Sequence, residues 1–413
     1  VTQPSPPVAL YVHLPFCVAR CPYCDFTVYA GADARGPRAR TERLYRAVAR
    51  ELELRADALD AAFGRPGSHG PRPPLRSVYF GGGTPSLIPV EWLERLMSIV
   101  RERLGLAEGA EVTLEANPGA DERGDPAAFR RAGVTRMSFG AQSMDGAELR
   151  RLGRRHSPGD VVAAVAEARG AGIGSINLDL LYDVPGQTIA AWEGTLAAAL
   201  DLAPDHLSLY ALTLDDPEAE GLAGSGGDHL PTAPGARRWR ERARLEQDDD
   251  RAADQYALAT GLLAARGWRA YEISNWARPG HESRHNLVYW QRETYEAVGP
   301  GAHAFDGVVR RWNAAAMQPY VGALDPDSVE PCLPPGGSET LDGETAAAER
   351  VILALRLDRG VPMAWAEQPP LAAELDWAAS SGLTEPFLLD GEPRLRLTLR
   401  GRLLSNELFE RLV

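Results

Sequence analysis

Apolar residues fall in short, β-branched runs that alternate with stretches of helical spacing. Leu10–His13, Ser77–Phe80, Val112–Glu115, Arg136–Phe139, Ser175–Leu181 and His206–Tyr210 read as strands. Helices are expected between them, near 41–58, 90–104, 125–132, 160–170 and 188–202; in the first, Leu44, Val48 and Leu52 recur at one helical turn. This alternation implies parallel strands joined by helical crossovers. Six such units suit an α/β fold of the partial (β/α)6, TIM-like barrel type; an open doubly wound sheet is the competing architecture. Downstream, residues 215–235 read as a mobile acidic, Gly-rich loop and about 236–265 as one long helix. The rhythm is lost after His303, and residues 325–343 look like a linker. From about 344 the pattern is helices, a small hairpin at Arg394–Thr398 and a final helix, a mixed, winged-helix-like domain. The chain thus divides into a core over 1–235, an extension over 236–324 and a C-terminal domain over 344–413.

Composition narrows the chemistry. A formal charge of −13 over 413 residues argues against a broad nucleic-acid footprint. The opening Val-Thr-Gln-Pro-Ser-Pro-Pro has no basic start leading into an apolar run, so no signal peptide is expected. No window of 18 apolar residues occurs, so no transmembrane segment is expected either. Of only four cysteines, Cys17, Cys21 and Cys24 fall within eight residues and Cys332 stands apart. Clustered thiols in a cysteine-poor chain read as metal ligands in a reducing compartment, which predicts a soluble, cytoplasmic protein.

The cluster is His13-Leu-Pro-Phe-Cys17-x3-Cys21-x2-Cys24, just past the first strand. Three thiolates from one loop can cap three irons of a [4Fe–4S] cubane, which needs a fourth ligand. The open iron can be chelated by the amine and carboxylate of S-adenosylmethionine (SAM). A zinc site is the alternative, but it usually takes a second ligand pair a dozen or more residues away, and none follows. In β/α barrels the site lies at the C-terminal strand ends. Those ends carry Gly81-Gly82-Gly83-Thr84, Glu115-Ala-Asn117, Gln142 and Asp179. The glycines permit close backbone approach to a ligand, or make a plain tight turn. Glu115 and Gln142 can hydrogen-bond SAM or merely fix loops. Arg154 can fork onto a carboxylate or lie solvated on the surface.

Together these residues resemble the radical SAM superfamily and, within it, the oxygen-independent coproporphyrinogen III oxidase group. The resemblance covers nearly the whole chain: Tyr11-Val-His13-Leu-Pro-Phe, the cysteines, Gly-Gly-Gly-Thr-Pro-Ser, Glu115-Ala-Asn-Pro118, Gly-Ala-Gln142-Ser, Asp179 and Leu-Thr-Leu-Arg-Gly-Arg-Leu-Leu-Ser-Asn near the end. It implies SAM contacts from Tyr11, the Tyr23 backbone, Gly82, Gly83, Thr84, Glu115, Gln142, Arg154 and Asp179. The oxidases carry a further cysteine two residues after the third; here that position is Phe26. His285-Asn286-Leu-Val-Tyr289-Trp290 resembles the signature of the heme chaperone HemW branch, implicated in heme handling. His285 is a plausible axial ligand and Tyr289 and Trp290 can lie against a porphyrin, although aromatic residues at this spacing more often belong to the core and a lone His is often just hydrogen-bonded. His281 and His303 are rival ligands. One departure is Asp183, where relatives usually have Gly; at φ > 0 an Asp costs more than a Gly. The resemblance implies a heme chaperone serving respiratory hemoproteins, and leaves a peripheral membrane contact and a dimer open. The alternatives are oxidative decarboxylation of coproporphyrinogen III by the same radical SAM machinery, and a zinc-stabilised, non-catalytic interaction module.

Overall fold

The computed structural model describes residues 3–33, 40–67, 70–214, 229–325, 332–368 and 371–413. Six parallel strands form its centre: β1 (Ala9–Leu14), β2 (Leu75–Gly82), β3 (Leu106–Ala116), β4 (Arg136–Gln142), β5 (Ser175–Tyr182) and β6 (His206–Ala211). They lie side by side in sequence order, each paired in parallel with the next. A doubly wound sheet would reverse strand order at a switch point. Uninterrupted order means every crossover goes the same way round, so the architecture is the partial (β/α)6 barrel.

Side-chain alternation explains why these strands curl around a polar interior. Leu10, Val12, Val78, Phe80, Leu114, Met137, Phe139, Ile176, Leu178 and Leu207 belong to one apolar core. That core also takes Leu44, Val48 and Leu52 from the helix Thr41–Phe63, all fully buried as their spacing predicts. With a period of two, the intervening residues must face the barrel axis. These are Tyr79, Glu115, Arg136, Ser138, Gln142, Asn177, Asp179 and Ser208, which line one cavity.

Outside the six strands the sheet continues in both directions. On one side β7 (Arg269–Ala270) and β8 (Asn275–Ala277) add antiparallel to β6. On the other, β9 (Tyr295–Val298) pairs in parallel with β1, followed antiparallel by β10 (His303–Phe305), β11 (Val309–Asn313) and β12 (Gly336–Thr340). The expected linker over 325–343 therefore contains an edge strand. Its glycines are there for packing: a Cβ on Gly337 would lie 2.3 Å from the Trp312 ring. The expected long helix is two helices, Pro234–Arg244 and Asp249–Ala265, because Asp248 caps the second by accepting from the Arg251 N–H. The helix expected to 104 passes into a π-helical turn over Val100–Leu104, and a short helix at Gly146–Arg151 was not foreseen. The loop expected over 215–235 lies outside the described residues as far as 228.

The C-terminal segment packs around its own apolar cluster, including Val351, Leu375, Leu395 and Leu408. Its hairpin joins Thr384–Leu389 to Glu392–Leu397, longer than the expected Arg394–Thr398. No helix among the described residues is long and apolar enough to cross a membrane.

Asp183 does sit at positive φ, +53°, directly after β5. It compensates by contacts glycine could not make: its carboxylate pairs with Arg251 and accepts from the Asp248 N–H at 3.4 Å. Its backbone N–H, which any residue there would supply, donates to Gln255 at 2.9 Å. Asp183→Ala keeps the strain and loses the ion pair, whereas Asp183→Gly loses the pair and relieves the strain. Thermal unfolding should show Ala to be the more damaging by about 1 kcal/mol; equal midpoints would contradict this reading of the turn.

Candidate functional site

The cysteine loop is held from several sides. His13 on β1 is buried and its Nε2–H donates to the Thr27 carbonyl at 2.9 Å, tying strand to loop across the cysteines. A carbonyl can only accept, so Nε2 carries the proton and Nδ1 accepts from the Tyr11 hydroxyl at 3.0 Å. Burial holds the His13 pKa down to about 4, so this ring stays neutral. Arg240, on the helix Pro234–Arg244, is buried and donates to the carbonyls of Pro22 at 3.1 Å and Cys24 at 2.9 Å. It is a clasp for the loop.

All three thiols line a cavity of about 540 Å³ over the barrel mouth. Burial pushes Cys17 up to about 11 and Cys24 up to about 12, so both are neutral thiols until something electropositive arrives. Among the described residues no three His, Cys, Asp or Glu side chains converge on a single-ion site. Thiolates that cap separate irons of a cubane need no such convergence, whereas a mononuclear zinc site does.

Tyr23, Gly82, Gly83, Glu115, Gln142, Arg154 and Asp179 share that cavity. Thr84 stands behind it, donating to Cys17 Sγ at 3.4 Å. Glu115 accepts from the Tyr79 hydroxyl at 2.7 Å and the Gly82 N–H at 3.1 Å. Burial is the main cause that pushes its pKa up to about 7. Gln142 lies at φ +64° where β4 slips register against β5, the kind of bulge that re-aims a side chain at a site. Arg154 is not a surface arginine. It donates to Asn117 Oδ1 at 2.5 Å, the Gly140 carbonyl at 2.8 Å and Cys21 Sγ at 3.4 Å, and its Nε is buried without a partner. Asp179 accepts from Ser138 at 3.1 Å and Asn177 at 2.7 Å.

The glycine run presents backbone to the cavity and is packed tightly on its other side. A Cβ on Gly82 would lie 2.6 Å from the His13 ring and one on Gly83 2.7 Å from the Phe16 carbonyl. The space their missing side chains free is filled by the protein's own loop, and the cavity gains only their backbone.

Tyr11 does not join this group; it lines a second cavity of about 430 Å³ with His13, Phe26, Tyr289, Trp290 and His303. Phe26, 60 % exposed, lines both cavities. The His285 motif is split. Asn286 faces the cysteine cavity, while Tyr289 and Trp290 face the second. His285 lines neither. It is buried, with Nδ1 3.0 Å from Ser77 Oγ and Nε2 2.8 Å from the Tyr289 hydroxyl, and burial holds its pKa down to about 3. Both ring nitrogens are engaged, so the structure makes it a core histidine rather than an open ligand. His281 sits elsewhere, 3.3 Å from Ser175 Oγ at the start of β5.

Ser138 and Asn177 are polar strand residues the barrel pattern points to, whereas Arg136 and Ser208 were missed by motif reading. Their signal is the alternation itself: polar residues at every second position of otherwise apolar strands.

Similarity to known proteins bears on identity. The Radical SAM superfamily model matches residues 11–199. The heme chaperone HemW of Mycobacterium tuberculosis is 39 % identical over 98 % of this chain and 94 % of its own length. That of Bacillus subtilis is 30 % identical over 97 % of each chain. The coproporphyrinogen III oxidase HemN of Escherichia coli, a radical SAM enzyme, shares the fold with a TM-score of 0.78, covering 99 % of this chain and 91 % of its own at 22 % identity. The chain therefore belongs to the heme chaperone HemW family of the radical SAM superfamily.

Proposed function

We propose that the protein is a heme chaperone that holds a [4Fe–4S] cluster on Cys17, Cys21 and Cys24, binds SAM at the open iron, and passes heme to hemoproteins of the respiratory chain. When bound, the cluster and SAM supply one-electron reductive chemistry at the sulfonium. The chain's own residues fit that load. The unpartnered Nε of Arg154 is a donor awaiting a carboxylate. Glu115 and Gln142 offer acceptors for an amine or ribose hydroxyls, Asp179 one for the ribose, and Tyr23, which lines the same cavity, offers its backbone to the adenine as the family resemblance implies. Free thiols at Cys17, Cys21 and Cys24 fit a reducing, cytoplasmic setting.

The observation that carries the chaperone reading is the pair of cavities meeting at Phe26, the position where the oxidase pattern has a cysteine. An exposed phenyl ring there offers stacking surface to a flat apolar ligand and no redox chemistry. Anaerobically reconstituted protein should give a Soret band on heme titration and no protoporphyrinogen from coproporphyrinogen III with SAM and reductant. Robust protoporphyrinogen formation without heme binding would make it the oxidase.

Glu115 makes SAM affinity pH-dependent. The titratable or charged groups around it include Tyr79, Asp179, Arg136, Tyr11 and Tyr289. Near pH 7 it is half ionised, and a cationic ligand prefers the carboxylate. Affinity should tighten about tenfold more between pH 6 and 8 in wild type than in Glu115→Gln. Equal slopes would remove Glu115 from the SAM contacts.

A further inference from the structure

The second cavity has features that the cysteine site does not explain. At about 430 Å³ it is within the range for small-molecule sites. Its walls include the rings of Tyr289, Trp290, Tyr295 and Phe305. Two of its residues also carry buried donors with no partner in the protein, Trp290 Nε1 and Arg292 Nη2. Leaving such donors unmet costs about 1–3 kcal/mol each, so they point to a ligand that supplies acceptors.

Arg292 is unusual in a second way. It follows the helix Arg284–Trp290 at φ +54°, in the left-handed conformation normally given to glycine at a helix end. Its side chain is only 9 % exposed, its Nε donates to Glu349 at 2.7 Å, and its guanidinium lies 4.7 Å from the Phe305 ring centre. A bulky cation held in a strained backbone position beside a cavity is a feature of ligand sites. The same cavity is lined by His303, an exposed residue that lies against Trp312 with ring centres 6.0 Å apart.

We propose that heme occupies this second cavity, with a propionate at Arg292 and Trp290 and with His303, not His285, facing the iron. The ligand class follows from the lining: aromatic walls for a flat macrocycle, unmet donors for its carboxylates, and an imidazole for its metal. The assignment rests on the heme-chaperone reading but adds a location separate from the cysteine cavity, with Phe26 as the shared wall.

The test is a heme titration of the full chain, wild type against Arg292→Gln, His303→Ala and His285→Ala, with melting temperature recorded for each. Heme dimethyl ester, which lacks the propionate charge, serves as a second probe that needs no variant. Arg292→Gln should weaken heme binding about tenfold or more without moving the Soret maximum. It should bind the ester as wild type does. His303→Ala should shift the Soret maximum and remove the imidazole signature from the EPR spectrum, whereas His285→Ala should leave both in place. If wild type shows no Soret band, the chaperone reading itself fails. If wild type binds heme and ester equally well and Arg292→Gln and His303→Ala match it, heme binding stands and this placement is overturned. A spectral shift in His285→Ala alone would return the iron to His285.

Discussion

The hydrogen bond from His13 to the Thr27 carbonyl is the constraint on which the site depends. A loop that must present three thiols has little regular structure of its own, so it needs an anchor on each side. Strand β1 supplies one, and the buried neutral ring of His13 reaches from it to the far side of the cysteines. Other segments close on the same residue. A Cβ at Gly82 would meet the His13 ring at 2.6 Å, and one at Gly299 its carbonyl at 2.4 Å. Gly299 is fixed in turn by Glu51, which accepts from its N–H at 3.0 Å and from the Tyr320 hydroxyl at 2.6 Å. The barrel, the glycine turn and the sheet extension therefore all converge behind the cysteine loop, and Tyr11 ties the wall of the second cavity to the same anchor through its bond to Nδ1.

Much of this was legible in the sequence, for physical reasons. Parallel strands buried on one face by helices leave a clear apolar signal, and the spacing of Leu44, Val48 and Leu52 marks the first helix. The spacing of Cys17, Cys21 and Cys24 is local, so it survives translation into one loop and one cavity. Glu115 and Gln142 stand at strand ends and Asp179 on the inward face of β5, where barrel geometry dictates the direction in which side chains point.

What was not legible depends on distant contacts. Arg240 looks like any other arginine on a charged helix until its partners, some 215 residues earlier, are known. His285 has the composition of a ligand, but Ser77 and Tyr289 engage both its nitrogens. Gly336 and Gly337 read as linker because the close packing against Trp312 that needs them is set by the fold of another strand. Asp183 breaks the glycine pattern and is sustained by Arg251, on a helix whose start depends on Asp248.

The account makes two adjoining compartments out of one barrel mouth, a thiol-lined one for the cluster and SAM and an aromatic one for heme, divided by Phe26. Separate compartments mean separable occupancy. The most direct measurement is to count non-heme iron, sulfide and heme on the same anaerobically reconstituted samples of wild type and the C17A/C21A/C24A variant. The account predicts that the variant loses iron and sulfide yet keeps the wild-type heme content and Soret maximum. Loss of heme together with the cluster, in protein that melts as wild type does, would contradict it.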